Sequence, residues 1–275
     1  MKKTILISGG TGTIGQALAD FLLKKTNWII RIFSRDEYKQ HLMAQRFSDN
    51  RLRFLIGDVR DADRVESACE GVNYVIHTAA MKQVPACNYN PYEAVKTNII
   101  GTQNVISASK EMGADKLLMI STDKAVEPIN LYGATKMVAE QLTLKSNQFG
   151  LRASVARFGN IWASRGSIIE KWKKDENRGA VELTDSRMTR FLIIQDEAVK
   201  FIFQSLQKMK GGEVFIPEDL PAARMIDIAH FLIPNAKIKN IGIREGEKLH
   251  EKLADGYESS DSHRQISGQH LKRFL

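Results

Sequence analysis

The strongest guide to the fold is a glycine-rich turn close to the N-terminus. It lies between an apolar strand predicted at residues 4–8 and an amphipathic helix that runs through Lys25. Within the turn, Gly9, Gly12 and Gly15 recur at three-residue spacing. In a turn of this kind the first glycine permits a tight bend, the second lets the backbone approach a pyrophosphate, and the third lets the helix pack on the strand. The pattern therefore predicts a dinucleotide-binding site at the first strand of the chain.

Strand and helix patterns alternate through the first 160 residues. Five further apolar strands are predicted at residues 29–33, 52–56, 73–77, 116–120 and 153–158, and long helices at residues 91–110 and 131–149. Such alternation predicts an α/β fold with a doubly wound parallel sheet of the Rossmann type. After residue 160 the elements become short and mixed. We therefore expect residues 1–160 to form the cofactor-binding domain, to which later segments can return, and residues 161–275 to form a small C-terminal substrate-binding lobe.

The end of the second strand indicates which dinucleotide is bound. Arg35 occupies the place where a site for NAD usually has an acidic residue on the ribose hydroxyls, and a guanidinium there suits a 2′-phosphate. Ser34 is a small hydrogen-bonding neighbour. The sequence favours NADP, whereas Asp36, one position later, keeps NAD open as the alternative. The other interpretation of Arg35 is a surface arginine that caps the end of the strand.

Further cofactor contacts are expected from residues that follow the predicted strands. Asp58 and Val59 follow the third strand, where a carboxylate can reach the adenine edge. Ala79 and Ala80 follow the fourth, where small residues let the backbone lie against the cofactor. Lys82 is either a phosphate contact or a solvated lysine. The full set expected at the cofactor is Gly9, Thr11, Gly12, Thr13, Ile14, Ser34, Arg35, Asp58, Val59, Ala79, Ala80, Lys82, Asn98, Tyr132 and Lys136.

Two polar residues, Asn98 and His77, allow two interpretations each. Asn98 lies on an apolar helix face and needs a partner, so it either faces the catalytic cleft or is a helix-surface amide. His77 ends a strand and is more readily a hydrogen-bonded structural residue than a base. No second His, Cys or carboxylate forms a metal site around His77, and none is expected elsewhere.

Tyr132 and Lys136 lie four residues apart on a predicted helix, so their side chains project from one face. An ammonium beside a phenol favours the ionised phenol, which could take a proton from a substrate hydroxyl while a cofactor accepts hydride. The spacing by itself fits an ordinary amphipathic helix. The glycine turn, and a strand that ends in Ser121 and Thr122, favour the catalytic interpretation.

Composition bounds the partners. The net charge is +8, but the 40 basic residues are interspersed with 32 acidic ones and no stacking platform is present, so an anionic nucleotide explains the charge better than a nucleic acid does. Cys69 and Cys87 fit neither a metal spacing nor a disulfide framework, which indicates a reducing compartment. We expect no signal peptide, no membrane span and a cytoplasmic location.

The chain resembles the extended short-chain dehydrogenase/reductase superfamily. Within it, the resemblance is to the inverting UDP-N-acetylglucosamine 4,6-dehydratases of bacterial flagellin and capsule sugar pathways. The most specific motifs are Ser121-Thr122-Asp123-Lys124-Ala125 and Asn130-Leu131-Tyr132-Gly133-Ala134-Thr135-Lys136. Further matching segments are residues 9–15, 34–37, 57–61, 79–84, 157–160, 164–167 and 242–248. The Asp123-Lys124 pair distinguishes this group from its relatives. Retaining dehydratases have a pair similar to Asp-Glu at this place, and 4-epimerases have neither residue.

The resemblance implies a role for each catalytic residue. Tyr132 would be the base on the sugar C4 hydroxyl, with Lys136 as its activator and ribose anchor and Thr122 as a donor to the same oxygen. Once C4 is a ketone, Lys124 would remove the C5 proton while Asp123 protonates the departing C6 hydroxyl. These roles need a neutral Lys124 and a protonated Asp123, but the charge of each residue favours the ionised form of the other. The pair is therefore expected to share a proton.

The resemblance also implies the substrate, UDP-N-acetylglucosamine. Its nucleotide ligands would be Lys82, Asn160, Arg165, Arg244 and Glu247, with the arginines on the diphosphate and the glutamate on the uridine ribose. The product is a 4-keto-6-deoxy sugar with C5 inversion or the 5,6-ene, for a pathway of the pseudaminic acid type. A homo-oligomer paired through the helices at residues 91–110 and 131–149 is expected. Two alternatives stay open: a UDP-sugar 4-epimerase and a non-catalytic dinucleotide-binding regulator.

Overall fold

The computed structural model describes residues 2–174 and 179–275, and fourteen strands lie within them. In chain order these are β1 (Thr4–Ser8), β2 (Ile29–Ser34), β3 (Leu52–Ile56), β4 (Tyr74–His77), β5 (Lys116–Thr122), β6 (Arg152–Phe158), β7 (Asn160–Ile161), β8 (Ala180–Leu183), β9 (Thr189–Ile193), β10 (Val214–Phe215), β11 (Ala222–Arg224), β12 (Lys237–Asn240), β13 (Lys252–Ala254) and β14 (Tyr257–Glu258). Seven form one parallel sheet in the order β10-β6-β5-β4-β1-β2-β3. This order and the flanking helices confirm the predicted α/β doubly wound parallel sheet.

Ten α-helices connect or follow these strands in the described part of the chain. They are α1 (Thr13–Lys25), α2 (Glu37–Phe47), α3 (Ala62–Cys69), α4 (Val84–Tyr89), α5 (Pro91–Val95), α6 (Gly101–Glu111), α7 (Leu131–Lys145), α8 (Ile168–Lys174), α9 (Gln195–Lys208) and α10 (Met225–Leu232). The long helix predicted from Pro91 is divided by a π-helical turn at Lys96–Ile100. The α-helix predicted to reach Phe149 ends at Lys145 and continues as a 3-10 turn. There, Ser146 Oγ donates to the carbonyl oxygen of Thr143 at 2.6 Å and competes with the backbone ladder.

Two apolar clusters cover the two faces of the large sheet. On one face α1 and α9 contribute Leu18, Leu22 and Ile202 to the core; on the other, α3, α6 and α7 contribute residues such as Val65 and Val105. All five residues of β1 are buried, which is why the strand is a continuous apolar run rather than an alternating one. Residues 195–215 pack with the large sheet: β10 is its edge strand beside β6, and α9 packs on α1 over one of its faces.

A second cluster of short elements lies beside the carboxyl ends of the large sheet. It contains a three-stranded sheet in the order β11-β9-β7, the parallel pair β12-β8, and helices α8 and α10. Its core includes Trp162, Trp172, Ile228 and Phe274. Within residues 2–174 and 179–275, no helix is long and apolar enough to cross a membrane.

Candidate active site

A cleft of about 1220 Å³ lies between the two groups of elements, at the carboxyl ends of the parallel strands. The strand order reverses at β1, with β2 on one side and β4 on the other, and such a reversal leaves a crevice where ligands bind. The volume exceeds the roughly 300–1,000 Å³ usual for one small ligand. The cleft therefore has room for a cofactor and a substrate together.

The glycine turn forms one wall of this cleft. Gly9 has φ +69°, and a Cβ built there would lie 2.8 Å from the backbone of Ala79, so only glycine fits between the turn and the end of β4. A Cβ on Gly15 would lie 2.5 Å from Gly10, which confirms the close packing expected of the third glycine. Gly12 caps α1 without a side-chain hydrogen bond, so the helix N-terminus offers its backbone N–H groups to the cleft, an arrangement that fits a diphosphate.

The cleft gathers most of the residues expected from the sequence. It is lined by Gly9, Thr11, Gly12, Thr13, Ile14, Ser34, Arg35, Asp58, Val59, Ala79, Ala80, Lys82, Thr122, Lys124, Tyr132, Lys136, Asn160, Arg165, Arg244 and Glu247. Asn98 and Asp123 are not among the lining residues, and both are buried, at 1% and 0% exposure. Asp123 is connected to the cleft by its contacts with Thr122 and Lys124, which line it.

The start of α7 positions Tyr132. Asn130 caps the helix, because its side-chain oxygen accepts a hydrogen bond from the backbone N–H of Gly133 at 2.8 Å. Its amide nitrogen donates to the carbonyl oxygen of Gly246 at 2.8 Å and so ties the helix start to the loop that carries Glu247. The first turn of α7 is thereby fixed to the side of the cleft expected to hold the substrate.

The protonation of Tyr132 differs from the expectation. Burial raises the pKa of Tyr132 to about 12, Lys124 opposes the rise, and Thr122 is its hydrogen-bonding neighbour. Lys136 is not among the groups that lower this pKa. Its Nζ donates instead to the carbonyl oxygen of Ile120 at 2.8 Å. The simple picture of a phenol made acidic by the lysine one turn away is therefore wrong for this arrangement.

Lys136 itself is buried, at 4% exposure. Burial lowers its pKa to about 8, although the carboxylate of Glu140, one turn further along α7, opposes the change. Glu140 is held by Arg157, with 3.0 Å from Glu140 Oε1 to Arg157 Nε. The pKa of the Lys136 amine therefore lies close to neutral pH.

This burial predicts a pH dependence of stability. The unfolded chain keeps the ordinary lysine pKa of about 10.4, so between about pH 8 and pH 10 the unfolded state binds more protons than the folded state. The free energy of unfolding should rise with pH in this window by up to about 1.4 kcal/mol per unit, and the cost of the buried ammonium should be fully present below it. Urea unfolding should show this rise in the wild type and in Lys145→Met, whose lysine is exposed, and lose it in Lys136→Met. Equal slopes in all three would contradict the assignment.

Lys124 lies at the centre of a cluster of charges. Its Nζ is 3.0 Å from Asp123 Oδ1, 3.3 Å from Glu251 Oε1 and 3.3 Å from Asn160 Oδ1. Burial disfavours the ammonium, but Asp123 and Glu251 outweigh it and raise the pKa of Lys124 above its ordinary value. In this arrangement the lysine is the ammonium, so the neutral base expected from the sequence requires a proton to leave it first.

The buried polar residues connect the cleft to the core. Asn98 accepts from the backbone N–H of Met81 at 2.8 Å and donates to Met81 O and Thr135 Oγ1, both at 2.9 Å. It therefore holds the loop after β4 to α7. His77 lies 2.6 Å from Ser8 Oγ, and burial lowers its pKa to about 3, which confirms a hydrogen-bonded neutral histidine rather than a base.

The expected substrate ligands are divided between two places. The backbone N–H of Arg165 donates to Thr13 Oγ1 at 3.3 Å, beside the glycine turn, and Lys82 has Arg165 and Lys124 as charged neighbours. Arg244 lies in another loop, where its Nη1 is 3.8 Å from Glu247 Oε1. The other oxygen of Glu247 is buried without a hydrogen bond, as expected of a residue that binds a hydroxyl of a ligand.

Sequence reasoning missed Gly133 and Glu251. Glycine inside a helix costs about 1 kcal/mol relative to alanine, so its presence in α7 was a signal of a close approach. A Cβ on Gly133 would lie 2.2 Å from the carbonyl oxygen of Lys124. Glu251 had no such local signal, because its partner Lys124 is 127 positions away (251 − 124).

Gly133→Ala should lower the free energy of unfolding by about 1–3 kcal/mol, because the methyl group would push α7 away from the turn that carries Asp123 and Lys124. Helix propensity alone would give the opposite sign. Chemical denaturation measures the change, with Gly179→Ala as the control since nothing lies within 4 Å of a Cβ there. A stabilised Gly133→Ala variant would refute the close approach.

No group of three or more His, Cys, Asp or Glu side chains in the described ranges 2–174 and 179–275 could hold a metal ion. The cleft contains the phenol, the two amines and the carboxylates described above, and its glycine turn provides a fitting site for a dinucleotide.

Comparisons with known proteins agree with this geometry. The family model described as "Polysaccharide biosynthesis protein" matches residues 5–270. The chain is 49% identical over 270 residues to the UDP-N-acetylglucosamine 4,6-dehydratase (inverting) of Campylobacter jejuni subsp. jejuni, covering 95% of this chain and 79% of that protein. It is 40% identical over 271 residues to a UDP-glucose 4-epimerase of Rickettsia rickettsii, covering 93% of this chain and 79% of that protein.

Among solved structures, Pen from Bacillus thuringiensis superposes with a TM-score of 0.93 at 35% identity, covering 100% of this chain and 99% of that one. Matches of this extent over nearly the whole chain establish homology. With its glycine turn, its parallel sheet and its Tyr132/Lys136 helix, the chain belongs to the polysaccharide biosynthesis protein family, within the extended short-chain dehydrogenase/reductases.

Proposed function

We propose that this protein is a UDP-N-acetylglucosamine 4,6-dehydratase that uses bound NADP. The observation that carries the proposal is the placement of Tyr132 and Lys124 in one cleft, joined through Thr122 and Asp123. Thr122 Oγ1 donates to Asp123 Oδ1 at 2.9 Å, and the same carboxylate oxygen lies 3.0 Å from Lys124 Nζ. A base for a hydroxyl and an acid/base pair for an elimination are thus adjacent. The similarity to the Campylobacter enzyme supports the same reaction.

NADP is the cofactor we propose, because Asp36 is engaged elsewhere. Its carboxylate caps α2 by accepting from the backbone N–H of Lys39 at 3.0 Å, and it pairs with the Lys39 ammonium. Arg35 is more than half exposed at the cleft and lies 3.6 Å from Asp58, whose carboxylate also binds Arg60. The guanidinium is therefore available for a 2′-phosphate. When bound, the dinucleotide supplies the hydride acceptor for C4.

Arg35→Ala should weaken binding of NADP about tenfold and leave binding of NAD nearly unchanged, since a partly exposed charge-assisted contact contributes modestly. Titration of the protein with each dinucleotide measures the ratio. Arg53→Ala, on the neighbouring strand β3 and outside the cleft, is the control. An equal loss for both dinucleotides would indicate that Arg35 does not read the 2′-phosphate.

The residues then divide the reaction between them. Tyr132 must first lose its own proton, and its phenolate then takes the proton of the C4 hydroxyl. The Thr122 hydroxyl would turn from Asp123 to donate a hydrogen bond to the same oxygen. The C4 ketone acidifies C5, where Lys124 accepts the proton as the C6 hydroxyl leaves. Asp123 is fully buried, so its proton would reach the departing C6 hydroxyl through one of its two hydrogen-bonded neighbours, Thr122 or Lys124. Lys136 holds its amine against the end of β5, where it can anchor a ribose.

The substrate nucleotide is proposed to lie against the small C-terminal lobe. Arg244 and Arg165 would bind the diphosphate, Glu247 the uridine ribose, and Lys82 and Asn160 the region between. The unpaired oxygen of Glu247 supports this placement. The corresponding division is a cofactor domain at residues 1–160, to which residues 195–215 return, and a substrate lobe in the remainder.

The test is proton NMR of the purified protein with UDP-N-acetylglucosamine in deuterated water. A new methyl signal with deuterium at C5 supports a 4-keto-6-deoxy product, and vinyl signals support the 5,6-ene. An unchanged sugar would refute the dehydratase. The product decides how this step feeds a surface-glycan pathway, for which we propose the pseudaminic acid type.

A second candidate, UDP-sugar 4-epimerase, is favoured by the Rickettsia relative. Epimerisation at C4 needs Tyr132 and the cofactor but no acid/base pair at C5 and C6. Asp123 and Lys124 therefore favour the dehydratase. In the same NMR experiment an epimerase would invert C4 without incorporating deuterium at C5.

We also propose a homo-oligomer in the cytoplasm. Large apolar side chains are exposed on the helices that follow Pro91 and Leu131; these are Tyr92, Ile100, Met137 and Val138. Pairing of these helices between two copies would cover them. The thiols of Cys69 and Cys87 are free and buried, as suits a reducing compartment.

A further inference from the structure

Glu251 is a buried carboxylate with a fixed backbone. It is 2% exposed, and both its backbone N–H and its carbonyl oxygen bind Ser259, each at 2.8 Å. Ser259 Oγ in turn lies 2.7 Å from Thr189 Oγ1. Ser259, which follows β14, and Thr189, which begins β9, therefore hold the backbone of Glu251 in place.

The carboxylate faces three cations. Oε1 is 3.3 Å from Lys124 Nζ and 3.9 Å from Arg190 Nε, and Oε2 is 3.9 Å from Lys248 Nζ. Oε2 has no hydrogen bond, although it is buried. Burying a charged group with an unsatisfied oxygen lowers the stability of the fold, which indicates that Glu251 has a role other than stabilisation.

Of the three cations, Lys124 is the one nearest to the Glu251 carboxylate. Arg190 donates to the carbonyl oxygens of Thr189 and Lys248, and Lys248 donates to the carbonyl oxygen of Val126, so both are satisfied elsewhere. Lys124 is also the cation of the three that the proposed reaction uses. Its other carboxylate neighbour is Asp123.

Because two carboxylates contact the Lys124 ammonium, they can have different roles in the reaction. A proton that moves from Lys124 Nζ to Asp123 Oδ1 makes the amine and the carboxylic acid in one step. The amine then takes the C5 proton, the electron pair of the C–H bond passes to the C4 ketone, and the ammonium is restored. Throughout, Glu251 keeps a negative charge beside the nitrogen, which stabilises the ammonium as it forms.

We propose that Glu251 is a positioning residue for Lys124: it holds the amine towards C5 and stabilises the ammonium formed there, so that Asp123 can carry the acid proton. The inference rests on the proposed dehydratase and deepens it. It assigns the two carboxylates different tasks, with Asp123 as the proton donor and Glu251 as the fixed counter-charge.

The first test needs no turnover. Lys124 is labelled with acetic anhydride at a series of pH values, and peptide mass spectrometry follows its acetylation. Glu251→Gln removes a negative charge, so the neutral fraction of Lys124 below its pKa should increase about tenfold or more. Glu251→Asp keeps the charge but shortens the side chain and so weakens its contact with Lys124, and its labelling should fall between that of the wild type and that of Glu251→Gln. The other charged groups around this pair, Asp123, Tyr132, Lys82, Arg190 and Lys248, are unchanged in both variants.

The second test is the pH profile of deuterium incorporation at C5 of UDP-N-acetylglucosamine. In Glu251→Gln the half-maximal rate should move to lower pH by about one unit or more, and the plateau should fall about 10- to 100-fold because the ammonium loses its counter-charge. A residue of purely structural importance would lower the plateau without moving the profile. Glu66→Gln, an exposed position on α3, should match the wild type.

The outcomes separate the two proposals. If the wild type never exchanges C5, the dehydratase proposal fails, and the labelling still decides whether Glu251 sets the charge of Lys124. If the wild type exchanges C5 but both Glu251 variants label Lys124 as the wild type does, the inference about Glu251 is overturned. Should Glu251→Gln not fold, identical labelling of Lys124 and an unchanged exchange rate in Glu251→Asp would overturn it, because the shortened side chain withdraws the contact.

Discussion

Lys124→Met should lose deuterium exchange at C5 and formation of the dehydrated product by about 10²- to 10⁴-fold, the usual contribution of a general base. Methionine keeps the length and apolar stem of the side chain and lacks only the amine. The C4 oxidation uses Tyr132 and is retained, so the near-ultraviolet absorbance of reduced nicotinamide should accumulate when substrate is added. Absorbance and NMR on one sample therefore separate the oxidation from the elimination.

The control for this variant is Lys145→Met, an exposed lysine on α7, which should match the wild type in both measurements. Asp123 has Lys124 as its cationic partner, so some loss of stability is expected in Lys124→Met and is measured by urea unfolding. Retained exchange at C5 in a folded Lys124→Met protein would show that another group is the base. A UDP-sugar 4-epimerase would keep its full activity in this variant.

Tyr132→Phe should abolish both steps, with a loss of about 10²- to 10⁴-fold in the C4 oxidation itself. The phenyl ring preserves the packing against Cys87 and Ala94, while the hydroxyl that neighbours Thr122 is removed. Neither the absorbance of reduced nicotinamide nor exchange at C5 should appear, because the C5 proton is acidified only by a C4 ketone. This pattern differs from that of Lys124→Met, in which oxidation survives.

Tyr89→Phe is the matched control, since Tyr89 is 88% exposed on the neighbouring helix α4. Binding of the dinucleotide should weaken only slightly in Tyr132→Phe, because the glycine turn, Arg35 and the Tyr132 ring position are kept and a single hydroxyl is lost. If Tyr132→Phe still accumulated reduced nicotinamide at the wild-type rate, the base on the C4 hydroxyl would have to be another group, and Lys136 would be the next residue to test.

The fold and the composition of the cleft followed from local patterns in the sequence. Apolar runs such as residues 4–8 form buried parallel strands, and the glycine turn can only be placed between such a strand and a helix. The carboxyl ends of parallel strands meet at one edge of a sheet, so residues just after each strand converge there. This is why Arg35, Thr122 and Lys124 could be assigned to one site without coordinates.

Protonation states and distant partners were decided by the tertiary structure alone. The pKa of Tyr132 depends on how deeply α7 packs, and the partner of Lys136 is a carbonyl oxygen of β5 that no spacing indicates. Glu251 reaches Lys124 from a loop far along the chain. Electrostatic energies vary with burial and with distances of a few ångströms. Sequence patterns order residues along an element, and only packing between elements sets those distances.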